Sequence, residues 1–143
     1  MAVPQSFTTE FGIRVYAPGY ITPKEMRIWL EDLKPKVQAL GGKPFGLLSD
    51  IRTQRANPPE SQELLKESLI WLRHQGLERS VVVLDSMVAL IQTLRLSKAA
   101  GLYDTERYLD ASKEPDWEQK ALDWLTRSID PDVAVTGPPR QER

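Results

Sequence analysis

The chain has 143 residues, 41% hydrophobic and 27% charged, which suits one soluble globular domain with a single sizeable core. With 19 Lys plus Arg against 20 Asp plus Glu, the net charge of -1 predicts no general attraction to nucleic acid. The absence of cysteine and the single histidine, His74, exclude disulfides, thiolate chemistry and a His-rich metal site.

The first residues carry no basic stretch followed by an apolar run, and nothing approaches the ~20 apolar residues of a membrane span. A cytoplasmic address is therefore expected. Ser6 to Thr9 and Gly12 to Ala17 read as two short strands around a tight turn near Glu10-Phe11. Ile13, Val15 and Ala17 alternate with Arg14 and Tyr16, the period of a strand with one buried face.

Thr22-Pro23-Lys24-Glu25 reads as a helix start, with a capping hydroxyl, Pro at the first helical position and Glu three residues after the cap. Met26, Trp29, Leu30, Leu33, Val37 and Leu40 then form one apolar stripe, inside which Pro35 predicts a kink or break. Gly41-Gly42 ends the helix, and Phe45 to Ile51 follows as a short apolar run suited to a central strand.

A polar loop from Thr53 leads to Pro58-Pro59 and a second helix to about Gln75, with Leu64, Leu65, Leu69, Trp71 and Leu72 inward. Ser80 to Asp85 is the second buried strand, and a third helix runs from Ser86 to about Ala99. Glu106 to Leu109 reads as a last strand, with Glu106-Arg107 as a surface pair. Asp116 is read as the cap of a fourth helix that turns Trp117, Ala121, Leu122, Trp124 and Leu125 inward. The expected fold is α/β: a two-layer sandwich with a mixed five-stranded sheet, opened by an antiparallel hairpin and continued by β-α units, with four helices. Residues 1–129 form one domain, and 130–143 read as a Pro-containing mobile tail.

This order resembles the STAS fold, in particular its SpoIIAA-like (anti-sigma-factor-antagonist-like) branch. The residues carrying the resemblance are Gly46 to Arg52, Val81 to Asp85, Glu106 to Asp110 and the closing Ala121-Leu122-Asp123-Trp124-Leu125. It spans roughly residues 6–128. The resemblance implies a small noncatalytic bacterial domain for regulatory partner binding, some relatives of which hold apolar ligands or touch membranes. The antagonists' Asp-Ser-x-Gly phosphorylation motif is missing, since the region reads Thr53 to Ser61 without it.

Asp50, Arg52, Thr53 and Arg55 are expected to cluster at the central strand's carboxyl end, facing the start of the second helix. There they would form a ligand or partner edge for an anionic group. The competing reading is an Asp that pins loop amides, with solvated arginines. Asp85-Ser86 ends the neighbouring strand. Ser86 is read as a helix cap rather than a nucleophile, because His74 lies on the polar side of its helix and no Gly-x-Ser-x-Gly elbow exists.

On the third helix, Met87, Leu90, Ile91 and Leu94 are read as the inward stripe. The opposite face, Ala89, Gln92, Thr93, Leu96 and Ala100, carries no charge and is read as a partner, membrane or homodimer surface. The expected function is a noncatalytic module binding an apolar or anionic amphipathic ligand, a membrane surface or a regulatory protein. It would use no cofactor, metal or nucleic acid. The alternatives are a small enzyme built on an Asp50/Asp85 carboxylate edge and a phospho-regulated antagonist.

Overall fold

The computed structural model describes residues 3–131. Along the chain run β1 (Gln5–Thr9), β2 (Gly12–Tyr16), α1 (Pro23–Gln38), β3 (Phe45–Asp50), α2 (Pro59–His74), β4 (Leu77–Leu84), α3 (Met87–Ala100), β5 (Glu106–Asp110) and α4 (Trp117–Arg127). The five strands lie in sequential order in one sheet, antiparallel between β1 and β2 and parallel thereafter. The α/β class, the mixed sheet and the four helices are those expected from the sequence.

The topology decides where the helices go. From β2 to β5 each crossover steps to the next strand in the same direction. Right-handed connections that step one way deposit their helices on one face. Accordingly α1, α2 and α3 cover the face that carries Ile13, Val15, Phe45, Leu47, Val82 and Leu84. α4 follows the last strand and is free of that constraint. It packs Ala121, Trp124 and Leu125 on Leu48, Val81, Val83 and Leu109. The strand period of two thus sends alternate residues to two cores, and α4 adds a third layer to the expected sandwich. β3 and β4 are covered on both sides, which is why they read as unbroken apolar runs.

α1 starts as its sequence dictates. Thr22 Oγ1 accepts from the Glu25 N–H at 3.2 Å, and Glu25 Oε1 accepts from the Thr22 N–H at 3.0 Å. The helix does not break at Pro35. Pro35 lies on the exposed side, so the carbonyl that loses its partner there faces water and the cost is small. Met26, Leu33 and Val37 are no more than 1% exposed, each worth roughly 1.5–3 kcal/mol of burial. Trp29 Nε1 donates to Ser6 Oγ at 2.7 Å, tying α1 to β1.

Gly12 sits at φ +140°, where an added Cβ would press into the Gly46 carbonyl oxygen. Gly46 N–H meanwhile donates to the Phe11 carbonyl at 2.7 Å. This close backbone passage holds the hairpin against β3. β4 begins at Leu77, three residues before the expected Ser80. Asp116 precedes α4 but makes no side-chain capping bond. Asp130, at the start of the expected tail, is anchored: its carboxylate accepts from Arg107 Nε and Nη2 at 2.9 and 3.0 Å. The tail beyond residue 131 lies outside the described residues. Among the described residues no helix is long and apolar enough to cross a membrane.

Candidate functional site: an apolar cavity beneath three helices

The strand-end cluster forms, but it is turned inward on itself. Asp50 is 4% exposed. Its carboxylate accepts from the Arg52 backbone N–H at 3.2 Å, from Arg52 Nε at 3.0 Å and from Arg52 Nη2 at 2.8 Å. Burial pushes the Asp50 carboxyl up, but these bonds together with the charges of Arg52 and Arg14 outweigh it and hold it below the ordinary carboxylate range. The Arg52 guanidinium also lies 4.7 Å from the centre of the Trp117 ring, at the start of α4.

Arg52 therefore faces α4 and not the start of α2, and its charge is already matched. Thr53 and Arg55 are exposed, and their backbone groups bond Gly19 at 3.1 Å each, clasping the β2–α1 loop to the β3–α2 loop. The cluster organises two loops and docks α4. Asp85 is exposed, and Ser86 Oγ accepts from the Ala89 N–H at 3.1 Å, the capping role expected of it. Of the two strand-end carboxylates, Asp50 is therefore committed to Arg52 and Asp85 lies open to solvent.

The third helix is turned the opposite way from the sequence expectation. Ala89, Gln92, Leu96 and Ala100 are buried and Thr93 is half-buried, so they are not an outer partner face. Met87, Val88 and Ile91 are the exposed apolar residues, at 66%, 60% and 58%. The segment from Met87 to Leu94 has no charge on either side, so its periodicity cannot orient it. Tertiary contacts do. Gln92 Oε1 accepts from the Asn57 N–H at 3.1 Å, and the small Ala89 and Ala100 pack into the core of the same sheet face.

With that orientation, α3 roofs a cavity of about 70 Å³ between the sheet and α1–α3. Its floor is one row across the sheet: Val15 pairs with Ser49, and Ser49 with Val82. The row leaves space because Ser49 stands where the inward series Phe45, Leu47, Ile51 would otherwise place a large apolar side chain, with the small Ala17 nearby. Met26 and Trp29 of α1, Leu65 and Leu69 of α2, and Leu96 of α3 close it. Gln54, Gln92, Thr93 and Glu106 add polar groups to the lining.

Glu106 is 3% exposed and accepts from Ser80 Oγ at 2.8 Å and Tyr108 OH at 3.0 Å. Arg107, 5% exposed, lies on the other face with its guanidinium 4.3 Å from the Trp124 ring centre. The Glu106-Arg107 pair is thus buried and split between two cores, not a surface pair. The signals for the cavity in the sequence are slight: a Ser inside an apolar strand and a Gln inside an uncharged helix.

Ligand pockets are typically apolar concavities with a few placed polar groups, and this cavity has that chemistry. Its size limits the occupant. A cavity of roughly 150 Å³ takes a benzene, so this one accommodates an apolar group of about half that size. Among the described residues no three His, Cys, Asp or Glu side chains gather as a metal site. Compared with protein-family models, with curated proteins and with solved structures, the chain matches none.

Proposed function

We propose that the protein is a noncatalytic binding module that takes a small apolar group, a whole molecule or the end of a chain, into the cavity between the sheet and α1–α3. The carrying observation is the Val15–Ser49–Val82 floor, roofed by Leu65, Leu69 and Leu96. Two features favour binding over catalysis. The Asp50 carboxylate is consumed by Arg52, and Ser86 by its helix cap. The element order, which resembles the SpoIIAA-like branch, supports the same class of function.

The test is methyl NMR of the full chain under xenon pressure, since xenon enters dry apolar cavities without needing a hydrogen bond. Saturable shifts are expected at the methyls of Val15, Leu65, Leu69, Val82 and Leu96. They should vanish in Val82→Phe, whose ring would occupy the space. Unmoved methyls in the parent protein, or the same shifts in folded Val82→Phe, would overturn the reading.

A further inference from the structure

The polar part of the cavity lining carries information about the ligand, granted that the cavity is the binding site. Gln92 is 6% exposed and Gln54 9%. The Asn57 N–H fixes the orientation of the Gln92 amide, because only the oxygen can accept it at 3.1 Å. That leaves Gln92 Nε2 as a donor with no acceptor among the described residues, and the Gln54 carboxamide likewise has no partner among them. An occupant of the cavity takes these amides away from water, so a ligand that supplies an oxygen to them gains over one that does not.

Charge points the same way. Among the described residues no Lys, Arg or His lines the cavity, while Glu106 does. Its two carboxyl oxygens each take a hydroxyl donor, from Ser80 and Tyr108. An anionic group entering here would lose its water, find no counter-charge and face another acidic group.

We propose that the cavity selects neutral apolar molecules bearing one hydrogen-bonding oxygen, such as alcohols and ketones, and discriminates against carboxylates. The anionic amphipathic ligand expected from the strand-end arginines is thereby replaced by a neutral one held elsewhere.

The experiment compares 1-propanol, propanoate and xenon on the methyl-labelled full chain at pH 7, with Gln54→Leu as the variant. The Gln54 side chain has no bond to lose, whereas replacing Gln92 would orphan the Asn57 N–H. Binding of 1-propanol is expected to be at least about tenfold tighter than that of propanoate, and Gln54→Leu should weaken the alcohol about fivefold relative to xenon. Propanoate binding as well as 1-propanol, or an unaltered alcohol affinity in Gln54→Leu, would overturn the selectivity while leaving the cavity as a binding site. Failure of xenon and 1-propanol alike would instead remove the cavity as a site, and the selectivity with it.

Discussion

Replacing Asp50 by Asn removes the negative charge from a buried group while keeping its size, and so isolates what the Arg52 pair does. Three bonds reach the carboxylate from Arg52, the side chain of which is 40% exposed while that of Asp50 is 6% exposed. Breaking a fully buried ion pair costs roughly 3–5 kcal/mol, and an exposed pair is worth under about 1 kcal/mol. With one partner buried and the other half in water, Asp50→Asn should cost about 1–3 kcal/mol at pH 7. Urea denaturation at constant slope measures it.

The pH dependence has a definite sign. The folded-state Asp50 carboxyl lies below its ordinary value, so its stabilisation is complete above the unfolded value of about 3.9 and is lost as pH falls through the lower folded value. The gap between parent and Asp50→Asn should therefore stay constant from pH 7 to about pH 5 and close below about pH 4. Arg52→Ala should cost a similar amount, and the double variant clearly less than the sum of the two. An Asp50→Asn protein within about 0.5 kcal/mol of the parent, or additive costs in the double variant, would refute the structural role of this pair.

Other substitutions test the remaining elements. Leu96→Glu should unfold the domain or cost more than about 3 kcal/mol by circular dichroism melts, because Leu96 is 7% exposed inside the helix–sheet core. Ile91→Glu, at a site 58% exposed, should change stability by less than about 0.5 kcal/mol. Equal effects would mean α3 is oriented otherwise. Ser86→Ala should lose about 0.5–2 kcal/mol in chemical denaturation through the missing Ala89 cap. Gly12→Ala should destabilise by more than about 2 kcal/mol, since its Cβ meets the Gly46 carbonyl at a φ that side chains rarely adopt.

Those elements differ in how plainly the amino-acid order announces them. The capping box at Thr22 and the apolar runs of β3 and β4 are local or strictly periodic signals, and the elements form around them, with β4 starting three residues ahead of its apolar run. The three crossover helices follow from strand order and handedness. The side of the sheet taken by α4 does not, because nothing after β5 constrains it. The order of residues leaves α3 unoriented because Met87 to Leu94 carries no charge on any side; Asn57, 30 residues before Met87 in the chain, and the packing of Ala89 and Ala100 select its buried face.

The site divides in the same way. Asp50 and Arg52 announced themselves as a charged pair at a strand end, but their mutual satisfaction is a property of side-chain geometry at separation two. Ser49 and Gln92 are ordinary residues in sequence. They become a cavity floor and a buried donor only when register places Ser49 between Val15 and Val82 under α3.

The most direct measurement of the central claim is a crystal structure of the full chain pressurised with xenon. A xenon peak is expected above the Val15–Ser49–Val82 row, in contact with Leu69 and Leu96, and its loss is expected in Val82→Phe. Density confined to the protein surface, with the same row filled by shifted side chains, would contradict it.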